Sequence, residues 1–396
     1  MTVMDRSRPV EVVPTDGSAT AARALGERLV AAVAGHGPAI LPTGPGDPLP
    51  PASLRAPVAP GVAAVVTTSG STGVPKAVLL SGTALAASAT ATAARLGGEG
   101  RWLLALPAHH VAGVQVLLRS ARAGVPAAVM DLRGGFRPEA FAGAVAEARP
   151  SIARLSLVPT QLRRLLDDAG AGLDALRSIG AVLVGGAAAE AALLERARAA
   201  GVRVVTTYGM SETCGGCVYD GVPLDRVTVD IEDPDPSGAG RIVLGGATVA
   251  DGYQGLDDPS FLPGRRFRTS DLGRVLPGGR LEVLGRADDV IVTGGEKVPP
   301  VVVEQALLSV PGVREACVVG VPDPEWGARV VAVITGAGLE PEAVRRDVAH
   351  RLGRAAPRAV RVLDELPLRG IGKPDRAAVR DLFAGHDVAD GATRPS

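Results

Sequence analysis

A run of small hydroxyl-bearing residues, glycines and one lysine is the first part of the sequence that suggests chemistry. It covers residues 67–76 and reads Thr-Thr-Ser-Gly-Ser-Thr-Gly-Val-Pro-Lys. Its two glycines permit tight turns, so that backbone N–H groups and hydroxyls can surround phosphate oxygens, and Lys76 adds a point charge. It is not a Walker A loop, because the spacing differs and Ala77 stands where Ser or Thr would hold Mg²⁺. We predict a phosphate-binding loop; a flexible surface loop is the alternative.

The lysines are a second group of candidates. Lys76, Lys297 and Lys373 are the only lysines, although Lys and Arg together number 42. A lysine carries a compact point charge, whereas an arginine carries a planar guanidinium group. These positions are therefore candidates for contacts that need a compact charge. Chance is the alternative for so few residues.

Two further groupings have more than one interpretation. His109 and His110 are adjacent, and they are either part of a pocket or a structural pair, since neighbouring side chains point in different directions. Cys214 and Cys217 form a C-x-x-C. No second pair, nearby histidine or thioredoxin-like helix accompanies them, so we predict neither a zinc site nor a redox site.

Strands and helices alternate in the segment that would position these residues. The first 60 residues are rich in Pro and Gly except for one helical stretch at 20–33. Strand-length apolar runs follow at 63–68, 102–106, 127–130, 152–157, 181–184 and 202–207. Helical stretches lie between most of them, at 83–95, 139–148, 161–168 and 188–200. We interpret 77–94, the longest uncharged run, as a helix with its preceding loop. The alternation predicts an α/β domain with a largely parallel sheet.

The periodicity changes twice after that segment. From about 218 to 287 we predict strands at 227–231, 241–244, 266–268 and 281–284 and no helices. The last part mixes helices at 300–308, 341–352 and 376–383 with strands at 315–321, 329–334 and 359–362. It predicts a separate α+β domain. Residues 387–396 are predicted to be disordered.

Composition narrows the class of protein. The chain of 396 residues has 42 Lys and Arg against 42 Asp and Glu, so bulk charge gives no reason to expect binding to nucleic acid or an anionic membrane. Three cysteines suit a reducing compartment, and the first residues lack the apolar segment of a signal peptide. We expect a cytoplasmic protein. The oligomeric state is open, with a homodimer as the commonest assembly.

Six motifs in order along 67–373 resemble those of the acyl-adenylate-forming superfamily of acyl-CoA synthetases and adenylation domains. The phosphate loop is the first, and the others lie at 208–213, 241–244 with 251–253, 269–271, 285–289 and 370–373. Two positions depart from the family pattern: Ser211 replaces a Thr and keeps its hydroxyl, and Ser270 replaces a Gly. The resemblance implies an AMP-forming ligase that uses ATP, Mg²⁺ and a carboxylic acid.

The resemblance also implies roles for individual residues. Those expected around the β- and γ-phosphates of ATP are Thr68, Ser69, Gly70, Ser71, Thr72, Gly73 and Lys76. Those expected around the rest of the nucleotide are Gly186, Thr207, Tyr208, Gly209, Ser211, Asp271 and Arg286, with Tyr208 against adenine and Asp271 on the ribose hydroxyls. Glu212 is expected to hold Mg²⁺, a cation that prefers oxygen ligands. Lys373 is expected to bridge the acyl carboxylate and the α-phosphate.

In this superfamily one pocket serves two reactions through two domain orientations. The resemblance therefore implies an N-terminal AMP-binding domain (1–287, β-rich from about 218) and a small mobile C-terminal domain (288–396) with its hinge at Asp288. Lys297 lies where the C-terminal domain would face the site, and it either contacts the phosphates of coenzyme A or is merely solvated.

The acyl substrate is suggested by the segments 106–113, 158–162 and 206–214, which resemble the o-succinylbenzoate–CoA ligase family of menaquinone biosynthesis. His110 takes the position of the family's gating histidine. His109, His110, Gln161 and Gly185 are the residues expected at the acyl group. The alternatives are another aryl or acyl acid–CoA ligase, a nonribosomal adenylation domain and, from a different class, a non-catalytic nucleotide-binding protein.

Overall fold

The computed structural model describes residues 7–68, 76–148, 152–369 and 373–383. The chain divides into two compact units. The first comprises residues 1–233, 242–269 and 275–282, and the second comprises 234–241, 270–274 and 283–396. The predicted loop residues Ser69–Gly73, the predicted motif residues 370–372 and the predicted disordered end 387–396 lie outside the described residues.

The helices and strands follow the predicted order. The helices are α1 (Ala19–Val33), α2 (Gly82–Arg95), α3 (Val111–Arg122), α4 (Pro138–Glu147), α5 (Pro159–Asp168), α6 (Ala171–Arg177), α7 (Ala191–Ala199), α8 (Pro300–Leu308), α9 (Pro341–Leu352) and α10 (Arg376–Asp381). The strands of the first half are β1 (Val10–Pro14), β2 (Ala39–Thr43), β3 (Val62–Thr68), β4 (Lys76–Ser81), β5 (Trp102–Leu104), β6 (Ala128–Val129), β7 (Arg154–Leu157), β8 (Ala181–Val184), β9 (Val204–Met210) and β10 (Gly215–Tyr219). The later strands are β11 (Val222–Pro223), β12 (Val227–Glu232), β13 (Gly240–Gly246), β14 (Gly252–Tyr253), β15 (Phe261–Leu262), β16 (Arg266–Val275), β17 (Leu281–Arg286), β18 (Ile291–Thr293), β19 (Glu296–Val298), β20 (Val313–Asp323), β21 (Gly327–Gly336), β22 (Ala359–Leu363), β23 (Leu368–Arg369) and β24 (Lys373–Pro374).

A five-stranded sheet in the order β1-β2-β3-β4-β14 forms the first part of the first unit. Strands β1 to β3 run parallel, whereas β4 is antiparallel to both β3 and β14. Residues 77–81 were predicted to form the loop before a helix. This prediction is wrong, because Ala77–Ser81 continues β4 between two partner strands. The helix starts only at Gly82, where the Ser81 hydroxyl accepts a hydrogen bond from the Ala84 N–H and caps it.

The second sheet confirms the predicted parallel α/β arrangement. Its order is β11-β10-β9-β8-β7-β5-β6, and all strands from β9 to β6 run parallel. One core cluster joins this sheet to α1, α2, α3 and the first sheet, and another covers its other face with α4 to α7. Both faces are thus buried, as parallel sheets require. Helix α3 was not predicted.

The remaining strands form smaller sheets. In the predicted β-rich segment the order is β12-β13-β16-β15, and β17 pairs with β16. In the second unit β20, β21 and β22 form a sheet whose two faces pack in separate clusters, one with α8 and α9 and the other with α10. The α+β prediction for this part is confirmed. Within the described ranges, no helix combines the length and apolar character needed to span a membrane.

Candidate active site

The parallel strands bring several predicted site residues to one edge of the second sheet. The carboxyl ends of β5, β7, β8 and β9 lie at the same edge because these strands run in the same direction. The residues that follow those strand ends include His109 and His110 after β5, Gln161 after β7 and Gly185 after β8. This is the edge at which open α/β sheets bind ligands. The topology therefore assembles what the sequence shows as separate motifs.

The strand order changes direction between β5 and β7, because the chain passes from β5 to β6 on one side and returns to β7 on the other. Open α/β sheets commonly bind ligands at such a point. Gln161 connects the segments after these two strands. Its Nε2 donates to the Ala105 carbonyl oxygen at 2.8 Å, and its Oε1 accepts from the Val158 N–H at 3.1 Å. The side chain is buried and joins the segments that follow the two strands. Its direct contact with an acyl group stays a prediction.

The two histidines have different surroundings. His110 is the N-cap residue of α3, and its ring centroid lies 4.2 Å from that of His109. Nδ1 of His109 is buried and has no hydrogen-bond partner among the residues that the structure describes. Burial lowers the pKa of His109 below its usual value, and the negative charge of Asp47 opposes this shift. His109 is therefore neutral at pH 7.

A loop from the amino-terminal region packs against His109. A Cβ atom at Gly44 would lie 2.7 Å from both Cε1 and Nε2 of His109, so a larger residue there would displace the His109 ring or the loop. The Gly44 N–H donates to Asp47 Oδ2 at 2.6 Å and holds the loop in place. Sequence analysis identified neither residue, although the Pro- and Gly-rich run around them marks a turn.

Close packing explains the small residues after β8 and in β9. A Cβ atom at Gly185 would lie 2.2 Å from Thr207 Oγ1, and one at Gly209 would lie 2.2 Å from the Gly215 carbonyl oxygen. Gly186 has a φ of +79°, a conformation that favours glycine. Larger side chains at Gly185 and Gly209 would force β8, β9 and β10 apart. Gly185, predicted at the acyl group, and Gly209, predicted at the nucleotide, therefore lie where neighbouring atoms approach the backbone closely.

The phosphate loop connects two strands whose ends are fixed. Thr68 and Lys76 are paired across β3 and β4, so the two ends of the loop lie opposite each other. The Thr68 hydroxyl donates to the Lys76 carbonyl oxygen at 3.4 Å. The described ends of the loop therefore lie at the carboxyl end of β3, next to β14, which continues the sheet beyond β4.

Lys76 belongs to a connected group of four side chains, which we name the Lys76 cluster: Lys76, Asp258, Tyr253 and Glu212. Lys76 Nζ lies 2.7 Å from Asp258 Oδ2 and 4.7 Å from the centroid of the Tyr253 ring. The Tyr253 hydroxyl donates to Glu212 Oε1 at 2.7 Å. The sequence predicted Lys76 and Glu212 separately; the structure joins them through Tyr253. Asp258 was missed, since no local pattern distinguishes it from a surface carboxylate.

The protonation states of the cluster follow from burial and neighbouring charges. Burial, and next the charge of Glu212, raise the pKa of Tyr253 far above its usual value, so the phenol remains a donor. Burial raises the pKa of Asp258, but the Lys76 ammonium and the Ser260 N–H outweigh it and lower that pKa overall. Lys76 and Asp258 pair with each other, and Glu212 is a second carboxylate in the same group, bonded to Tyr253.

This charge pattern fits a Mg²⁺ ion held with few protein ligands. Within the described ranges, no group of three or more His, Cys, Asp or Glu side chains is arranged to hold a metal ion. Mg²⁺ commonly binds proteins through one or two carboxylates and completes its coordination with water and phosphate oxygens. The buried Glu212 carboxylate, oriented by Tyr253 through one oxygen, matches that requirement.

The second unit contains the predicted residues Asp271, Arg286, Asp288, Lys297 and Lys373. Arg286 Nη2 lies 3.1 Å from Asp288 Oδ2, and Arg286 Nη1 lies 3.8 Å from Asp271 Oδ1. Lys373 begins β24, where it is paired with Arg369 of β23. Lys297 lies in β19 and is exposed. The boundary between the two compact units does not fall at Asp288, so the hinge there stays a prediction.

The two cysteines of the C-x-x-C are part of the core of the first unit. Burial raises the pKa of both thiols, that of Cys217 to about 12 and that of Cys214 further. Neither is a thiolate at neutral pH, and both metal binding and thiol exchange need the thiolate. Their burial thus supports the interpretation that these cysteines are structural.

Comparison with known proteins identifies the class. The family model described as AMP-binding enzyme matches residues 7–254, and the model described as AMP-binding enzyme C-terminal domain matches residues 302–373. The chain belongs to the AMP-binding enzyme family, as the motifs predicted.

More specific similarity points to one branch of that family. The chain is 48% identical over 333 residues to the probable 2-succinylbenzoate–CoA ligase of Mycobacterium tuberculosis, an alignment that covers 82% of this chain and 85% of the relative. It is 31% identical to the o-succinylbenzoate CoA synthetase of Bacillus subtilis solved with the acyl-adenylate intermediate, with a TM-score of 0.72 over 81% of this chain and 69% of that one. The structure of the same synthetase with ATP and magnesium gives a TM-score of 0.71, with 31% identity over 81% of this chain and 70% of that one. The predicted resemblance to this group of ligases is confirmed.

Proposed function

We propose that the protein is a 2-succinylbenzoate–CoA ligase. It joins the carboxylate of 2-succinylbenzoate to the α-phosphate of ATP with release of pyrophosphate, and then transfers the acyl group from AMP to the thiol of coenzyme A. The observation that carries the proposal is the Lys76 cluster at the end of the phosphate loop, in a chain that aligns with the mycobacterial ligase over most of both lengths.

The first step brings two negatively charged reactants together, so it depends on positive charge and positioning more than on a protein nucleophile. The acyl carboxylate oxygen attacks the α-phosphorus, and the bond to the bridging oxygen of pyrophosphate breaks. Lys76 contacts the β- and γ-phosphates with its ammonium group, together with the loop residues 68–73. Because Asp258 already holds the Lys76 ammonium, the phosphates replace one anionic partner with another.

Glu212 would hold Mg²⁺, since Tyr253 bonds only one of its carboxylate oxygens, and the bound ion would neutralise charge on the phosphates. Tyr253 orients the carboxylate and keeps its own proton, since its pKa is raised. Hydrogen bonds of this kind to a metal-binding carboxylate commonly change metal affinity.

The remaining assignments follow the family motifs. Tyr208 packs against adenine beside Gly186, Thr207, Gly209 and Ser211. Asp271 accepts hydrogen bonds from the ribose hydroxyls, with Arg286 nearby. Lys373 bridges the acyl carboxylate and the α-phosphate. His110 lies at the acyl tunnel, with His109, Gln161 and Gly185 around the acyl group.

In the second step the thiol sulfur of coenzyme A attacks the acyl carbonyl carbon, and AMP leaves with the electrons of the broken C–O bond. We assign this step to a second orientation of the C-terminal domain (288–396) relative to the N-terminal domain (1–287), reached by rotation at Asp288. The acid, ATP and coenzyme A are thus the partners of the site. A homodimer and a cytoplasmic location stay predictions.

Pyrophosphate release across a panel of carboxylic acids tests the proposal. The panel contains 2-succinylbenzoate, benzoate, a fatty acid and a short dicarboxylic acid, and each reaction is repeated with coenzyme A to detect the thioester. We expect release and thioester formation with 2-succinylbenzoate. Release only with benzoate or the fatty acid would identify another acid–CoA ligase, and no release with any acid would indicate a non-catalytic nucleotide-binding protein.

A further inference from the structure

Arg376 is the centre of a charged group in the second unit, three residues after Lys373. Its Nη1 lies 2.8 Å from Glu304 Oε1, and its Nε lies 3.4 Å from Asp289 Oδ2. Nη1 also donates to the Val318 carbonyl oxygen. Sequence analysis assigned no role to Arg376, Glu304 or Asp289. We name these three side chains the Arg376 cluster.

The cluster joins three separate elements. Arg376 is the first residue of α10, Glu304 lies in α8, and Asp289 ends the 3₁₀ turn Ala287–Asp289. Glu304 Oε1 also accepts the Val318 N–H at 3.0 Å, so the carboxylate is fixed to β20 as well. A planar guanidinium can serve several acceptors at once in a fixed geometry, which a lysine cannot.

Arg376 keeps its positive charge. Burial lowers its pKa, but the carboxylates, with Glu304 contributing most, raise it more and leave it above its usual value. Both carboxylates are largely buried, with exposed fractions of 14% for Glu304 and 24% for Asp289. Removing one partner of such a group costs more than removing a surface ion pair.

Asp289 connects the Arg376 cluster to the predicted hinge, because it directly follows Asp288. Asp288, the residue before it, is bonded to Arg286 on the amino-terminal side of the turn. Asp289 is bonded to Arg376 on the carboxyl-terminal side. Two different arginines therefore hold the turn: Arg286 holds Asp288, and Arg376 holds Asp289.

Arg376 is also close in the chain to the lysine of the C-terminal motif. Lys373 and Pro374 form β24 against β23, and the Asp375 N–H donates to the Pro367 carbonyl oxygen at 2.8 Å. Asp375 then caps α10, because its Oδ1 accepts the Ala377 N–H at 3.1 Å. A residue fixed at the start of α10 thus limits where the backbone of Lys373 can lie.

We propose that Arg376 is a positioning residue that fixes the strand of Lys373 to the carboxyl-terminal side of the hinge turn, so that rotation at Asp288 carries the lysine as part of one body. The proposal rests on the proposed function of the site. It makes Asp289 the first residue of the moving body and gives Arg376 a role in adenylation without contact with the substrate.

The test measures the two half-reactions separately in Arg376→Met, Arg376→Lys and Asp289→Ala. Adenylation is followed by pyrophosphate release, and thioester formation is followed from supplied acyl-adenylate and coenzyme A. We expect Arg376→Met to lower kcat for adenylation by about 10²-fold, the scale of loss that a displacement of about 1 Å in a reacting group produces. Its thioester formation should stay within about twofold of the original rate, because Lys373 serves only the first step.

The other variants separate positioning from folding. Asp289→Ala keeps Glu304 and Val318 as partners of Arg376 and removes only the bond to the turn, so it should show the same selective loss to a smaller extent. Arg376→Lys keeps the charge but not the fork, and it should also lose adenylation selectively. Arg380→Met is the matched control, because Arg380 is exposed on the same helix.

The outcomes divide clearly. Selective loss of adenylation in Asp289→Ala and in either Arg376 variant, with the control unchanged, supports the proposal. Equal loss in both half-reactions, or no loss in Asp289→Ala, overturns it. If the original protein releases no pyrophosphate with any acid, the proposed function fails instead, which is a different result.

Discussion

The Lys76 cluster and the Arg376 cluster each place a cation next to a loop that matters for the proposed chemistry, yet they are built differently. Exposure does not separate them, since 32% of the Lys76 side chain and 25% of the Arg376 side chain are exposed. The partners do. Among the described residues, Lys76 contacts one carboxylate and the face of one ring, whereas Arg376 contacts two carboxylates and a backbone carbonyl from three segments.

This difference indicates what each cation does. An ammonium with a single carboxylate partner can exchange it for a phosphate oxygen without leaving several buried groups unpaired. A guanidinium that bonds three acceptors would leave all three unpaired if it moved, and this costs more free energy than the exchange at Lys76. We therefore expect changes in the Lys76 cluster to alter the dependence on ATP and Mg²⁺, and changes around Arg376 and Lys373 to alter kcat at saturating ATP and Mg²⁺.

The largest effect is expected for Lys373→Ala. Adenylation should fall by roughly 10²- to 10³-fold, because loss of a charge that stabilises the transition state has effects of that order. Thioester formation from supplied acyl-adenylate should be retained, and the Mg²⁺ dependence should not move. Parallel assays of the two half-reactions check this; an equal fall in both would remove the basis for assigning the lysine to one step.

Glu212→Gln should have the next largest effect, about 10²-fold on adenylation at a fixed, low Mg²⁺ concentration. The amide keeps the size of the side chain and still accepts from Tyr253, but it lacks the charge that attracts the cation. Titration of the rate with Mg²⁺ should show a higher half-saturating concentration. An unchanged titration curve with a lower plateau would place Glu212 outside the metal site.

Tyr253→Phe should raise the half-saturating Mg²⁺ concentration by roughly tenfold, the lower end of what loss of such an orienting bond costs. The ring remains beneath Lys76, so the contact between ammonium and ring survives while the bond to Glu212 is lost. The plateau rate should stay close to that of the original protein. A fall in the plateau alone would contradict the proposed division between the two clusters.

The smallest effects concern stability and compare the clusters directly. Asp258→Asn should change the free energy of unfolding by about 0–1 kcal/mol, because it weakens one ion pair whose cation, Lys76, is 32% exposed. Glu304→Gln should cost about 1.5–3 kcal/mol, because it weakens charge-assisted hydrogen bonds within a group that joins several elements. Urea unfolding of both variants measures the difference. A larger loss for Asp258→Asn would reverse our assignment of the structural role.

Much of the fold was predictable because its signals are local. Strand β8 and helix α9 were predicted with their observed bounds, since apolar runs and helical periodicity depend on neighbouring residues. Residues 77–81 of strand β4 were predicted wrongly, as the loop before α2, for the opposite reason. They belong to one uncharged run with α2, and only their pairing with β3 and β14 makes them a strand.

The sequence by itself determined the family and the position of the few lysines, and it predicted the phosphate loop, because glycine spacing and motif order are properties of short segments. The tertiary structure alone decided which groups are partners. Lys76 and Asp258 are 182 residues apart in the chain. Arg376 likewise contacts Glu304 and Asp289, which lie in other elements, and no local sequence pattern links the three residues. Such contacts arise only when packed elements bring distant charges within hydrogen-bonding distance, and charge burial then makes the choice of partner specific.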